Sequence, residues 1–357
     1  MSITEVRCHR LMASLHTPFV TALRRTSVLE TTVVELADSS GHRGFGEAPQ
    51  VWRVTGESLA GAEACILGPL TDVVRRRSAD DLVDLAREVA ASVVGNFGAK
   101  AAVDVALHDL AARRAGVSLP RLLGSSRHRV ETDVTVSAGE AARLVDDAAA
   151  RVADGFGVLK LKVGTDAATD VARVAAVRER VGADVRIRVD ANQGWTPRQA
   201  IGVIRAMEDA GADLEFVEQP VPAEDVDGLA EVTARVDTPV MADEAVFGLR
   251  DLSTVIQERA ADLVNIKLAK CGGLSAARAM VELARAHGVG TIVGSMMEGP
   301  IGVGAAASLV AAYGSTHVSD LDAAWWAAVP PVVGGLVYDK GAVVLPDARG
   351  LGIEGLA

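Results

Sequence analysis

Eight short apolar segments, each followed by a polar or glycine- and proline-containing loop, occupy the chain from about residue 130 onward. All but the last are followed by a stretch long enough for a helix. Repeated β–α units predict a parallel sheet, and eight of them predict a closed TIM-like barrel, with an open doubly wound sheet as the alternative. The predicted strands are Val130–Ser137, Gly157–Val163, Asp184–Ala191, Leu214–Gln219, Pro239–Glu244, Asp262–Ala269, Thr291–Met297 and Thr316–Leu321.

The segments on either side of this α/β region have different patterns. Ile3–Leu15 and Ser27–Ala37 have the composition of strands, and helical spacing follows them, so the first part is predicted to be α+β. After Asp322, the segments Leu336–Tyr338 and Val343–Leu345 flank a turn and predict a hairpin. This pattern leaves no regular eighth helix, and we expect the tail to return to the N-terminal part.

Charge and cysteine content argue against several classes of function. The chain carries 36 Lys and Arg against 47 Asp and Glu, a net charge of −11, which disfavours binding to nucleic acid or to an anionic membrane. Its three cysteines, Cys8, Cys65 and Cys271, are sparse and odd in number, which favours a reducing compartment over a disulfide scaffold. The start has no continuous apolar segment typical of a secretory signal, so we expect a cytoplasmic protein.

Three acidic residues stand at the ends of three neighbouring predicted strands. Asp190, Glu218 and Asp243 are separated by 28 and 25 residues, about one β–α repeat, so they should reach the same end of the barrel. Three carboxylates in a closed site repel one another unless a cation lies between them, and an all-oxygen ligand set suits Mg²⁺. The alternative is that each acid separately caps the helix that follows it.

Lysines lie on both sides of these acids. Lys160 and Lys162 are two apart on one predicted strand and point the same way, whereas Lys267 comes from strand six, across the barrel mouth. Repulsion between neighbouring ammonium groups, together with a nearby cation, would lower a lysine pKa toward the range of a general base. Bases on opposite sides of one substrate suit a 1,1-proton transfer. The alternative for the strand-two pair is a solvated strand end.

Five motifs, KLK, DANQGW, VEQP, ADEA and NIKLAKCGG, occur in this order along the chain. In order and spacing they resemble the muconate-lactonizing-enzyme subgroup of the enolase superfamily. The resemblance implies a modified TIM barrel of the (β/α)7β type over residues 126–322. It also implies an α+β capping domain formed by residues 1–125, to which the tail 323–357 returns.

The same resemblance implies a chemistry. It implies that the three strand-end carboxylates bind Mg²⁺, that Lys162 and Lys267 are the two acid/base groups, and that Lys160 is an electrostatic helper. The reaction common to the superfamily removes a proton next to a carboxylate. Positive charge placed where the resulting dianion forms is the largest catalytic contribution available to such a reaction.

Asp320-Leu321-Asp322 narrows the expected activity. An Asp-x-Asp on strand eight resembles the hallmark of dipeptide epimerases, in which the pair binds the substrate's α-ammonium group. The alternative is that one acid caps the following segment and the other is solvated. Thr135 lies in a strand-one segment similar to that of the same enzymes, and Met297, at the end of strand seven, is expected to line the pocket.

The segment Pro18–Arg24 resembles the mobile capping-domain loop of these enzymes. In Ala-Glu epimerases the arginine matching Arg24 binds the side-chain carboxylate of the second residue, although a solvated arginine is the alternative and Arg25 stands beside it. The resemblance therefore implies a dipeptide such as L-Ala-D/L-Glu as substrate and a place in murein peptide recycling. Since members of the family are commonly oligomeric, it also implies a homo-oligomer. N-succinylamino-acid racemase, o-succinylbenzoate synthase and muconate cycloisomerase remain the alternative activities.

Overall fold

The computed structural model describes residues 1–20, 25–137, 141–164 and 166–357. The N-terminal part is an antiparallel sheet in the order β1-β2-β3, covered by helices. Its strands are β1 Ile3–Val20, β2 Arg25–Asp38 and β3 Arg43–Pro49, and its helices are α1 Leu59–Cys65, α2 Thr71–Val74, α3 Leu82–Ser92, α4 Phe97–Ala115 and α5 Leu119–Leu122.

Two glycines of β3 allow α4 to pack directly on this sheet. A Cβ atom on Gly46 would lie 1.8 Å from the carbonyl oxygen of Ala102, and one on Gly44 would lie 2.3 Å from that of Ala106. The helix backbone therefore lies against the strand backbone, which only glycine permits. The α4 helix ends at Gly116, whose φ of 73° provides the left-handed C-cap.

The barrel begins after β4, Arg129–Glu131, and contains a seven-stranded sheet in the order β5 to β11. Every neighbouring pair in this sheet is parallel, which confirms the predicted α/β class. Its strands are β5 Val134–Val136, β6 Val158–Lys162, β7 Arg186–Asp190, β8 Leu214–Glu218, β9 Val240–Ala242, β10 Leu263–Lys267 and β11 Gly290–Gly294.

An eighth, very short segment closes the barrel. Asp320 forms a parallel bridge with Gly294 of β11, and Ser319 forms one with Thr132, just before β5. The predicted strand Thr316–Leu321 is therefore reduced to two bridging residues. A short helical turn, Ala323–Trp326, comes directly after Asp322, where a regular eighth helix would otherwise begin.

Seven helix-containing connections link the described barrel strands, as the (β/α)7β pattern requires, and the connection between β10 and β11 contains two helices. The buried helix α13 packs between the barrel and the N-terminal part, where it contacts α4, α5 and β3. The helices are α6 Ala141–Ala153, α7 Ala167–Val181, α8 Pro197–Asp209, α9 Val226–Thr233, α10 Leu249–Gln257, α11 Leu268–Cys271, α12 Leu274–Ala286 and α13 Pro300–Tyr313.

The tail contains the predicted hairpin and contacts both the start of the barrel region and the N-terminal part. Within it, β13 and β14 are antiparallel, and β14 also pairs with β4. Farther on, Asp109 of α4 accepts a hydrogen bond from the Leu351 backbone amide, and Arg113 donates one to the Ile353 carbonyl. The strands are β12 Val332–Gly334, β13 Val337–Tyr338, β14 Ala342–Val344 and β15 Ile353–Leu356. Within the described ranges, no helix is both long and apolar enough to cross a membrane.

Candidate active site

Strand register places charged residues in one row at the carboxyl ends of the barrel strands. Lys162 on β6 is level with Asp190 on β7, and Asp190 is level with Glu218 on β8. Lys267 ends β10, on the other side of the barrel mouth. All four side chains are buried, and in a TIM-like barrel this face is where active sites form.

A cavity of about 360 Å³ lies over this row. Its walls come from both parts of the molecule, because the β1–β2 region and the segment after β3 cover the barrel mouth. The barrel contributes Thr135, Lys160, Lys162, Asn192, Asp243, Glu244, Lys267, Ser295, Met296, Met297, Asp320, Asp322 and Ala323, and the N-terminal part contributes Phe19, Thr26, Val28, Glu30, Gln50, Val51, Trp52, Arg53 and Val54.

Lys160 is surrounded by carboxylates. Its Nζ lies 2.7 Å from Glu218 Oε2, 2.8 Å from Asp320 Oδ2 and 3.1 Å from Asp190 Oδ2. Burial disfavours the ammonium form, but the charges of these carboxylates outweigh it and raise the pKa of Lys160 well above its usual value. The expectation that ammonium repulsion lowers this pKa is therefore wrong, since one neighbouring lysine opposes three adjacent carboxylates.

Lys162 and Lys267 contact different carboxylates on opposite sides of the cavity. Lys162 Nζ lies 2.6 Å from Asp190 Oδ2, and Lys267 Nζ lies 2.8 Å from Asp243 Oδ2. For Lys267, burial opposes the charge, but Asp243 outweighs this and raises its pKa above the usual range. The two ammonium groups thus face the cavity from β6 and β10, strands separated by three others.

The carboxylates at the strand ends differ in acidity. Burial opposes ionisation of Asp190, but the charges of Lys162 and Lys160 lower its pKa to about 2. Burial and the charge of Asp190 raise the pKa of Glu218 to about 7. Glu244 is buried beside Asp243, and its burial together with the charge of Asp243 raises its pKa to about 8. One site therefore holds both strongly acidic and weakly acidic carboxyl groups.

The donor chemistry of this cluster fits a hard divalent cation. Four buried lysines, including Lys270, face six buried carboxyl groups, so the cluster has an excess of two negative charges when all six carboxyl groups are ionised. Glu244 Oε2 is buried without a hydrogen-bond partner. In the part of the chain that the structure describes, no three His, Cys, Asp or Glu side chains are arranged around a common metal position. Lysine ammonium groups lie against the carboxylates instead. All-oxygen ligands are nevertheless the set that Mg²⁺ prefers. We call these ten side chains the strand-end cluster: Lys160, Lys162, Lys267, Lys270, Asp190, Glu218, Asp243, Glu244, Asp320 and Asp322.

Asp320 and Asp322 both line the cavity, but they have different partners. Asp320 accepts from Lys160, whereas Asp322 Oδ2 accepts from the Thr135 backbone amide at 2.8 Å and from the Trp326 indole at 2.9 Å. The charges around Asp320 outweigh its burial and lower its pKa, whereas burial and Asp320 raise that of Asp322. The strand-eight pair is thus fixed in place on the cavity wall, with Thr135 beside it.

The remaining predicted residues divide into two groups. Met297 lines the cavity and is largely buried, as expected of an apolar wall. Arg24 lies outside the described residues, and Arg25, at the start of β2, is exposed. The described charges on the N-terminal wall are instead Glu30 and Arg53. Those two residues belong to no recognised motif and lie outside the β–α repeats, so the sequence pattern did not identify them.

Three further residues of the site were not singled out from the sequence. Lys270 Nζ lies 2.5 Å from Asp243 Oδ1 and also donates to the Asp243 carbonyl. Asn265 donates to Glu218 at 3.0 Å, and Asn192 donates to Glu244 at 3.3 Å. Two of them lie within NIKLAKCGG and the third within DANQGW, so the motifs did contain the signal.

A second group of buried charges lies deeper in the barrel. Arg188 of β7 is fully buried; its Nη1 donates to Asp133 at 3.0 Å, and its Nη2 donates to Glu215 at 2.6 Å. It also donates to the Val318 carbonyl and lies over the Phe216 ring. None of these residues lines the cavity. We call Asp133, Arg188 and Glu215 the inner cluster.

Comparisons with known proteins match the whole chain. The model of the mandelate racemase/muconate lactonizing enzyme N-terminal domain matches residues 3–124, and the enolase C-terminal domain-like model matches residues 143–355. The L-Ala-D/L-Glu epimerase of Bacillus subtilis is 41% identical over 100% of this chain and 98% of its own. The structure of its substrate-liganded complex superposes with a TM-score of 0.97 over 100% of both chains.

A second relative has a different printed substrate. The hydrophobic dipeptide epimerase of Enterococcus faecalis is 36% identical over 99% of this chain and 100% of its own. The structure of the dipeptide epimerase from that organism with Mg and L-Leu-L-Tyr covers 99% of both chains with a TM-score of 0.95 and 35% identity. With both family models matched and relatives aligned end to end, the chain belongs to the mandelate racemase/muconate lactonizing enzyme family of the enolase superfamily.

Proposed function

We propose that the protein is a Mg²⁺-dependent dipeptide epimerase that inverts the α-carbon of the second residue by 1,1-proton transfer. The observation that carries this proposal is the placement of Lys162 and Lys267 on opposite sides of one cavity that Asp320 and Asp322 also line. Two bases that face each other are what inversion needs, and a carboxylate pair suits an α-ammonium group. The relatives named as dipeptide epimerases support the same activity.

In this proposal, Asp190, Glu218 and Asp243 hold the Mg²⁺ ion. The bound ion would offset the negative charge that develops on the substrate carboxylate when the α-proton leaves. Lys160, which already contacts Glu218 and Asp190, supplies a second fixed positive charge on the same side. Since the product of proton removal is a dianion, both charges stabilise the transition state more than the ground state.

Proton movement is assigned to the two facing lysines. With one epimer, Lys162 or Lys267 takes the α-proton on its Nζ, and the ammonium Nζ of the other delivers a proton to the opposite face. A lysine that acts as the base must first lose its own proton, which the contact with Asp243 stabilises on Lys267 in this structure. The reverse reaction exchanges the two roles, so neither lysine is permanently acid or base. The two lysines, one on each side of the α-carbon, determine the face from which the planar carbanion is reprotonated.

Substrate recognition is assigned to residues other than the two lysines. Asp320 and Asp322 bind the α-ammonium group of the first residue, and Thr135 and Met297 line the space beside it. Arg24 binds an acidic side chain on the second residue, which makes L-Ala-D/L-Glu the preferred substrate. That specificity places the enzyme in the cytoplasm, in recycling of murein peptides. We assign residues 1–125 and the tail 323–357 to the cap, and residues 126–322 to the catalytic barrel.

The proposal is tested with a substrate panel in the presence of Mg²⁺. L-Ala-L-Glu, L-Ala-D-Glu, L-Ala-L-Leu and N-succinyl-L-lysine are incubated separately, and both epimers are quantified by chiral chromatography. We expect the two Ala-Glu epimers to interconvert with the highest kcat/KM and N-succinyl-L-lysine to remain unchanged, because Asp320 and Asp322 repel its added carboxylate. Racemisation of N-succinyl-L-lysine without turnover of any dipeptide would contradict the proposal.

A further inference from the structure

The three carboxylates assigned to the metal share one contact pattern. In each of them, one oxygen contacts a lysine that lines the cavity. These pairs are Asp190 Oδ2 with Lys162, Glu218 Oε2 with Lys160, and Asp243 Oδ2 with Lys267, at 2.6, 2.7 and 2.8 Å. In these three pairs, a single oxygen of each carboxylate therefore faces a lysine that lines the cavity.

The other oxygen of each carboxylate is held by a group that does not line the cavity or is part of the backbone. Asp190 Oδ1 accepts from the Asn192 backbone amide at 2.8 Å, and Asp243 Oδ1 contacts Lys270 at 2.5 Å. Glu218 Oε1 accepts from Asn265 Nδ2 at 3.0 Å. A carboxylate held at one oxygen cannot rotate freely, so the other oxygen keeps its direction.

Asn265 is the neutral side chain in this set. Its Nδ2 donates to Glu218, whereas its Oδ1 is buried without a hydrogen-bond partner among the described residues. It lies on β10, two residues before Lys267, so both side chains point into the barrel. Asn265 is fully buried. A Cβ atom on the neighbouring Gly294 would lie 2.5 Å from Asn265 Oδ1, so glycine at that position leaves room for the amide.

We infer that Asn265 is a positioning residue that orients Glu218 for binding of the divalent cation. Asn265 does not line the cavity, so it acts through Glu218 rather than on the substrate. A fully buried amide that holds a ligand carboxylate is the kind of outer partner that commonly tunes metal affinity. This inference rests on the proposed function only in assigning Glu218 to the metal.

The test measures Mg²⁺ binding without substrate. Metal-free protein is titrated with MgCl₂ by calorimetry for the unaltered chain, Asn265→Ala and a control, Ser308→Ala. Ser308 is also fully buried, but its hydroxyl donates to Gly304 within α13, outside the strand-end cluster. We expect Asn265→Ala to raise the Kd for Mg²⁺ roughly 10- to 100-fold and the control to leave it unchanged.

Further measurements separate orientation from a structural role. If Asn265→Ala does not fold, Asn265→Ser is used, because its hydroxyl is closer to the backbone and does not reach Glu218. We expect excess Mg²⁺ to restore most of kcat in either variant. A lowered melting temperature with a Mg²⁺ Kd within twofold of the unaltered protein would overturn the inference.

The outcome for the proposed function can be read separately. Weaker Mg²⁺ binding in the variant supports the role of Asn265 even if no dipeptide is epimerised by the unaltered protein, in which case only the proposed function fails. If the unaltered protein binds no Mg²⁺, the assignment of Glu218 to the metal fails, and the inference about Asn265 fails with it.

Discussion

The strand-end cluster and the inner cluster are two groups of buried charges on the same barrel strands, yet they are built differently. β7 contributes Arg188 to the inner cluster and, two residues later, Asp190 to the strand-end cluster. In the inner cluster one arginine donates to two carboxylates and a backbone carbonyl. In the strand-end cluster several lysines share carboxylates beside a cavity of about 360 Å³.

The difference follows from the chemistry of the two cations. A guanidinium group stays protonated and presents a fixed fork of donors, so it suits a permanent internal connection. An ammonium group on a flexible stem loses and regains a proton when its surroundings change, so it suits acid–base chemistry. We therefore assign stability to the inner cluster and reaction to the strand-end cluster, and the following predictions test that division.

Removal of divalent cations should have the largest effect, and it should act on the strand-end cluster alone. Treatment with EDTA should lower kcat/KM for Ala-Glu by roughly 10³-fold or more, since a metal ion supplies several kcal/mol of charge stabilisation. Mg²⁺ should restore activity, and the far-ultraviolet circular dichroism spectrum should not change. Full turnover in chelator, with metal content confirmed at zero by mass spectrometry, would contradict the assigned role of the carboxylates.

Substitution of Arg188 should affect stability rather than catalysis. Arg188→Met leaves the buried Asp133 and the partly exposed Glu215 without their shared cation, which should lower the free energy of unfolding by about 3–5 kcal/mol. Urea denaturation followed by circular dichroism measures this change. Activity per folded molecule should fall less than tenfold. A variant with unchanged stability and no activity would assign the inner cluster to the reaction.

Substitution of the residues assigned to substrate recognition should have substrate-dependent effects. Arg24→Met should lower kcat/KM for Ala-Glu roughly 10- to 150-fold, because a guanidinium–carboxylate contact in a closed site is worth about 1.5–3 kcal/mol. It should spare Ala-Leu. Asp322→Asn should reduce kcat/KM for both dipeptides, which share the α-ammonium group. Equal losses on both substrates with Arg24→Met would show that the preference for an acidic residue does not depend on Arg24.

An exposed ion pair provides the smallest expected effect. Arg129 and Asp339 lie 2.6 Å apart, but both side chains are more than half exposed. Arg129→Met should therefore change the free energy of unfolding by less than about 1 kcal/mol, in contrast to Arg188→Met. The same urea denaturation measures both variants. Equal destabilisation by the two substitutions would show that burial does not distinguish these ion pairs.

Much of the fold and the grouping of the charges follow from local pattern. Apolar runs alternating with helix-length segments predict the parallel strands, and the β–α spacing predicts that Lys162, Asp190 and Glu218 end at one level. The five motifs in addition predict the family to which the chain belongs. The roles assigned to these residues stay predictions until the variants are measured.

Other features depend on distances that the sequence does not contain. Lys160 has a raised pKa because three carboxylates from three other strands lie within 3.1 Å of it, and this closeness is a result of barrel closure. The contact of Asn265 with Glu218 connects strands two apart in the sheet. Likewise, Glu30 and Arg53 reach the cavity only because the N-terminal part docks over the barrel mouth.

Isotope exchange tests the central claim, that two lysines act on opposite faces of one α-carbon. Each pure Ala-Glu epimer is incubated in D₂O with Mg²⁺ and the unaltered protein, Lys162→Ala or Lys267→Ala, and α-deuteration is read by mass spectrometry. The unaltered protein should deuterate and interconvert both epimers. Each variant should deuterate only one epimer, a different one in each case, and interconvert neither. Two results would contradict the assignment of one lysine to each face. One is deuteration of the same single epimer by both variants, and the other is an equal loss of α-deuteration of both epimers in both variants.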